Sequence, residues 1–168
     1  MQMQVPVAAE VAVEAGDTDM TKTQYDIELL RRVCNGNEQA MDFLANHWSP
    51  YVHQIDDIMD GDRPVKRDQL KTFALAAKLY AHPFYLANLP SLQMIALLVT
   101  ATYADVVDWE TSDDAWKRNW VDAYRHCGMD MVIAVALICG GIDHAFAISQ
   151  EQRAVCWTEH HGKNGEPT

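Results

Sequence analysis

Between His53 and Arg67 the chain reads HQIDDIMDGDRPVKR, an imidazole and four aspartates followed by three cations. At about 100° of rotation per residue, Val52, Ile55 and Met59 fall on one side of a helix. His53, Asp56, Asp57 and Asp60 gather on a neighbouring side. His53 and Asp57 are one turn apart, as are Asp56 and Asp60, so their side chains can converge. Carboxylates this close raise one another's proton affinity, and a divalent cation relieves that cost. Their oxygens are the ligands that Mg2+ prefers, and bound Mg2+ commonly bridges to substrate phosphates. Arg63, Lys66 and Arg67 stand just beyond, where they could hold those phosphates through charge-assisted hydrogen bonds. The competing reading is a solvated acidic helix face that runs into a polar turn.

Two further acidic groups bear on that choice. Asp105 and Asp108 lie one turn apart at the end of the most apolar segment, where they either point into a cleft or mark its exit to solvent. Asp122, His126 and Asp130 recur every four residues, with Asn119 nearly in line. Imidazole and carboxylate at that spacing can share a metal or a proton, or form an ordinary polar stripe. Carboxylate stripes on several helices are how metal sites are built inside helical bundles. The expected metal ligands are therefore His53, Asp56, Asp57, Asp60, Asp105, Asp108, Asp122, His126 and Asp130. Mg2+ is the expected ion, with Mn2+ as its substitute. Asp56, Asp57 and Asp60 would carry any catalysis, and Arg63, Lys66 and Arg67 would bind substrate.

DDIMD, Asp56 to Asp60, resembles the first aspartate-rich DDxxD motif of the isoprenyl diphosphate synthases. The resemblance implies an all-α fold, Mg2+ held by Asp56 and Asp60, and Lys66 and Arg67 as contacts to an allylic diphosphate that is ionised on the metal. It spans His53 to Arg67 alone. The Lys66-Arg67 pair is displaced by one position from the family's basic pair, and Asp68 stands where the family has glycine. No second DDxxD follows; the nearest substitutes are Asp105 with Asp108, and Asp113-Asp114.

Other chemistries find less support. There is no Glu-x-x-His pair for a di-iron bundle and no GxSxG elbow. Gly140-Gly141 reads as a helix stop rather than a phosphate loop. Trp109, Trp116, Trp120 and Trp157 read as core or interface anchors, and Trp116 with Trp120 could mark a partner surface.

The elements that must position these residues are helices. Ile27, Leu29, Leu30 and Val33 form a helical pattern that stops at Asn35-Gly36. Asn37 can cap the next helix, with Ala40, Met41, Phe43 and Leu44. Ser49-Pro50 opens the aspartate helix. A helix over 65–81 is predicted, with Leu70, Phe73, Ala74, Ala77 and Ala81 on one face, ended by His82-Pro83. Leu89-Pro90-Ser91 opens a helix that is apolar almost all round, a pattern expected at the centre of a core. Thr111 to Asp114 resembles a capping box. The helix it opens is predicted to run to Gly140-Gly141, with a last short helix starting at Ser149. The expected fold is all-α, a single compact bundle of about six to eight helices with a long central apolar helix.

The chain's 168 residues, nearly half of them apolar, suit one domain with a real core. That domain is expected over 23–161, between disordered tails at 1–22 and 162–168. A net charge of −11 argues against nucleic acid and against anionic membrane surfaces. Cys34, Cys127, Cys139 and Cys156 form no CxxC pair. Cys127 and Cys139 read as buried thiols, and a reduced, cytoplasmic location is the simplest expectation. No secretory signal is apparent, and the longest apolar run, 131–139, is short for a bilayer.

Two functions are consistent with these features. The first is a Mg2+-dependent protein, a transferase or hydrolase if an enzyme, that binds or acts on a diphosphate-containing small molecule. The alternative is a non-catalytic acidic helical protein that binds another protein. A helical core of this size can also form a homodimer.

Overall fold

The computed structural model describes residues 27–59 and 65–161, with the backbone alone at 65–68, 122 and 155–161. These residues are almost entirely helical and contain no strand, so the chain is all-α. The expected tails at 1–22 and 162–168 lie outside the described residues, as do Asp60 and Arg63.

Helix α1 (Ile27–Val33) ends where the sequence places the stop. Asn35 and Gly36 adopt left-handed backbone, with φ of 49° and 75°. The Gly36 N–H returns to the Arg31 carbonyl at 2.9 Å and closes the helix end. Asn37 caps α2 (Glu38–Asp42) by accepting the Ala40 N–H at 3.1 Å. The chain then winds as a π-helix over Phe43–Trp48 and continues into α3 (Ser49–Met59) without leaving helical dihedrals. Residues 38–59 thus form one rod with a wider turn in its middle.

Helix α4 (Val65–Tyr80) packs against α3 and the π-helical turn. The apolar face at helical spacing is the one left uncovered. Phe73 is 72% exposed and Leu70, Ala74, Ala77 and Ala81 also face outward, while Leu75, Ala76 and Leu79 turn inward. Both faces of α4 carry apolar residues at helical spacing, so the pattern alone could not choose between them. Helix α5 (Pro83–Ala87) is short and leads into α6 (Leu89–Glu110), which has proline in its first turn as expected.

The apolar helix α6 is not enclosed. Leu92, Ala96, Val99 and Val106 are buried, but Met94, Leu97, Leu98, Ala101, Asp105 and Asp108 form one exposed stripe, with Leu97 65% exposed. Helix α7 (Ala115–Arg125) folds back on α6. It is capped by Asp114, which accepts the Trp116 N–H at 2.8 Å. The hairpin is clasped by the Arg125–Glu110 ion pair and by Trp109 against Tyr124, with ring centroids 5.6 Å apart.

The predicted run from Asp114 to Gly140 is broken. A 3-10 turn, His126–Gly128, separates α7 from α8 (Met129–His161). The turn is docked on the α3 rod: the Gly128 carbonyl accepts the Trp48 indole N–H at 3.1 Å, and a Cβ on Gly128 would stand 3.4 Å from Val52. Helix α8 breaks in turn at Gly141, whose φ of 80° and ψ of −175° are essentially closed to other residues. Gly140-Gly141 is therefore a helix stop, but the chain resumes its helix at once and Ser149 opens nothing new. The second half is tied to α1 by His144 Nε2 on the Val33 carbonyl at 3.0 Å and by the Arg32–Glu151 pair.

The core lies where α1, the π-helical turn, α5, α6 and the first half of α8 meet, around Phe43, Leu44, Tyr85, Leu92, Met131 and Val135. Cys34 and Cys127 are buried and Cys139 half-buried, all as free thiols. Burial pushes Cys34 up to about 12, helped by Cys139. Burial likewise pushes Cys127 up to about 11, helped by the charge of Asp130. Such thiols are poor nucleophiles and poor metal ligands at neutral pH.

Residues 89–110 and 115–154 are each long and apolar enough by composition to cross a membrane. The second stretch is cut by the 3-10 turn and by Gly141. Its unbroken pieces, 115–125, 129–140 and 142–154, each span no more than about 20 Å at the rise of an α-helix. In the first, Asp105 and Asp108 stand on the outer stripe that lipid would have to cover.

Candidate functional site

The aspartate helix forms as expected, and its apolar side does what its spacing predicts. Val52, Ile55 and Met59 line a half-open cavity of about 200 Å3 between α3 and α6, together with Trp48, Val99 and Tyr103. Tyr103 is also the link to the acidic side. Its hydroxyl donates to Asp56 Oδ1, so Asp56 is held at the edge of the cavity. Asp57 is half-buried beside it, and His53 is exposed with Nδ1 3.2 Å from Ser49 Oγ. Lys66 and Arg67 lie in the first turn of α4, which starts just past the aspartates.

The other acidic stripes lie elsewhere. Tyr103 points from α6 toward α3, and Asp105 and Asp108 come off the opposite side of that helix at about 100° per residue. They face outward with Met94 and Leu97, not toward Asp56. The Asp122, His126 and Asp130 stripe depended on one continuous helix. Because the 3-10 turn starts at His126 and turns about 120° per residue, the regular four-residue spacing fails there. His126 is half-buried and Asp130 exposed.

Among the described residues, a different set of ligating atoms comes together: Asp42, His47 and His82, with one donor atom from each within 4.8 Å of the others. His82 Nε2 lies 3.0 Å from Asp42 Oδ2, and His47 Nε2 lies 3.6 Å from the same oxygen. The two imidazoles are 4.6 Å apart by centroid. Three local causes build this group. Asp42 and His47 are five residues apart, which on an α-helix would splay them by about 140°. The π-helical turn, with its i to i+5 hydrogen bonds, brings them onto one face. His82 precedes Pro83, so it is held extended (φ −66°, ψ 134°) and caps α5 by accepting the Phe84 N–H on Nδ1 at 3.2 Å. The buried Phe43 ring, 5.6 Å from the His82 ring, supports it from beneath.

The electrostatics follow from the contacts. Asp42 is held below its usual range by the Asn46 hydrogen bond, at 2.7 Å, and then by the one from His82. His47 is also lowered, first by burial and then by His82, so it is a neutral imidazole at neutral pH. Its Nδ1 is buried and has no hydrogen-bond partner among the described residues. The residues of this cluster are absent from the sequence-based set of ligands. The signal that could have found it was the His82-Pro83 pair, whose backbone is fixed in advance; no sequence pattern announced the π-helical turn.

No protein-family model, curated protein or solved structure matches the chain. By its fold and its two sites it is an all-α protein with an acidic helix face beside an apolar cavity and an aspartate–histidine group able to hold a metal ion.

Proposed function

We propose that the protein binds a diphosphate-bearing small molecule through Mg2+ held at the end of α3, with the molecule's apolar part in the cavity between α3 and α6. The observation that supports this reading is the position of Asp56. Its hydrogen-bond partner Tyr103 and its neighbour Ile55 both line the cavity, so a charged head and an apolar tail can be taken up side by side. A cavity of about 150 Å3 takes benzene, so the volume here suits a short, branched hydrocarbon group.

The helix ends favour the same arrangement. The C-terminal end of α3 carries partial negative charge and attracts a cation, while the N-terminal end of α4 attracts an anion. Asp56, Asp57 and Asp60 would hold the Mg2+, or Mn2+ in its place, with Arg63, Lys66 and Arg67 offering charge to the phosphates. The metal, when bound, would polarise a leaving diphosphate, as a transferase or hydrolase requires. A reduced cytoplasmic setting suits the free thiols of Cys34 and Cys127.

Calorimetry tests this directly. Mg2+ titrated into the wild type is expected to bind at micromolar levels, more tightly with inorganic diphosphate present, and not at all to Asp56→Ala/Asp60→Ala. Heat that is absent, or the same in the double variant, returns the stretch to a solvated helix face.

A second reading draws on a separate observation. Trp109, Trp116, Trp120 and Tyr124 form a closed circuit of ring contacts with centroids 5.6 to 6.0 Å apart, and the last three are exposed. With the open apolar stripe of α6, this surface suits a non-catalytic protein that binds a protein partner or a second copy of itself. Light scattering that shows a dimer lost in Leu97→Asp, together with no response to Mg2+ and diphosphate, would favour it.

A further inference from the structure

We infer that Asp42, His47 and His82 form a binding site for a first-row divalent metal of the zinc class, separate from the acidic end of α3. Two nitrogens and a carboxylate are a donor set for Zn2+ and its neighbours rather than for Mg2+. The spacing fits. Zinc bonds of about 2.0–2.1 Å at the tetrahedral angle hold their donors about 3.4 Å apart. The two distances from Asp42 Oδ2, 3.0 Å to His82 and 3.6 Å to His47, bracket that value.

Burial distinguishes this group from a surface cluster. The side chain of His82 is 6% exposed and that of His47 21%, while Asp42 is 51% exposed. A buried His82, a half-buried His47 and one carboxylate at the solvent side leave room for a water or other ligand in the fourth position. His82 has both ring nitrogens hydrogen-bonded, but His47 is not an ordinary satisfied core histidine. His47 Nε2 stands too far from Asp42 for a good hydrogen bond, and its Nδ1 has no partner among the described residues. The lowered proton affinity of His47 keeps it in the neutral form that metals require.

The cap on α5 makes the inference specific. While Nδ1 of His82 accepts the Phe84 N–H, the neutral ring carries its proton on Nε2 and donates it to Asp42. A metal on Nε2 displaces that proton to solvent, and Nδ1 takes one up in its place. The ring stays neutral overall, and the Phe84 N–H loses its acceptor. Metal binding is therefore coupled to a tautomer change in His82 and to a looser first turn of α5.

The test uses the full chain carrying His160→Ala/His161→Ala, so that the imidazoles near the C-terminus do not contribute. Zn2+ is titrated by calorimetry and Co2+ by visible absorption. Micromolar or tighter binding is expected, weakened about tenfold or more in Asp42→Asn, His47→Gln and His82→Asn. The last keeps a side-chain oxygen to cap α5, so loss of binding there is not loss of folding. Long-range proton–nitrogen NMR is expected to show His82 switching from the Nε2–H to the Nδ1–H form on adding Zn2+, with faster exchange of the Phe84 amide. No binding below about 1 mM, affinity undiminished in the three variants, or an unchanged His82 tautomer would each overturn the site.

Discussion

Asp42 and His47 lie on the same helical rod as the α3 aspartates, and His82 joins them from the link between α4 and α5, yet the two groups are built in opposite ways. The α3 aspartates are neighbours in sequence and share a side because an ordinary helix repeats about every 3.6 residues. Asp56 and Asp57 are half-buried, and Asp56 accepts the Tyr103 hydroxyl. Asp42, His47 and His82 come from a π-helical turn and from a proline-fixed link between two other helices. Their surroundings are partly dry, and His82 already donates a hydrogen bond to Asp42. A cluster of like charges suits a hard ion that arrives with a phosphate; a mixed, half-buried group suits a softer ion held by nitrogen.

Core damage should separate the two regions most sharply. Phe43→Ala removes a ring that is fully buried and packs on His82, Phe84 and Tyr85. A loss of about 3–5 kcal/mol is expected by urea denaturation, with Zn2+ affinity falling while the response to Mg2+ and diphosphate persists in the folded fraction. Equal losses at both would mean that the rod transmits the damage and the regions are not independent. Next in size, His82→Ala should cost about 1 kcal/mol more than His82→Asn, because only alanine leaves the Phe84 N–H uncapped. Thermal unfolding of the pair measures the difference, and identical midpoints would remove the cap from the account.

Tyr103→Phe acts at the other end. It deletes the hydroxyl that donates to Asp56, and a loss of about 0.5–1.5 kcal/mol is expected. Zn2+ binding should not change; if it does, the α3–α6 contact reaches further than its neighbours suggest. The smallest effect is pH dependence. His47 binds protons more weakly folded than unfolded, so its contribution is complete above its ordinary value of 6.5 and declines as pH falls through that value. Asp42 is lowered too, so its contribution is present above its ordinary 3.8 and is lost only below that. Stability measured from pH 8 to 5 should therefore sag in the wild type and stay flatter in His47→Gln. A matching slope in both would assign the titration to another group.

Much of the fold was legible because its signals are local. Asn35-Gly36, Asn37, His82-Pro83, Pro90 and Asp114 each fix one residue's backbone or satisfy one end of a helix, and the helices stop or start there, whereas Ser49-Pro50 opens no new helix because Ser49 is itself helical (φ −58°, ψ −50°). The misreadings have a common origin in contacts between distant segments. Both sides of α4 and of α6 are apolar, so which one is covered depends on what else packs there. The helix after Asp114 gives way at His126–Gly128, the turn that packs on Trp48 and Val52. That same interruption dissolved the regular spacing of Asp122, His126 and Asp130.

The sequence by itself determined an all-α chain, most of its helix ends, and an acidic face beside the apolar row of Val52, Ile55 and Met59, since each follows from residues within a turn or two of one another. Tertiary structure alone decided that this row would meet Tyr103 and line a half-open cavity, that Asp105 and Asp108 would face away from it, and that two histidines 35 positions apart (82 minus 47) would share one aspartate. The reason is physical. Helical periodicity is fixed by backbone geometry and can be counted along the chain, whereas a wider π-turn and the choice between two apolar faces are settled by packing energies that no local pattern records.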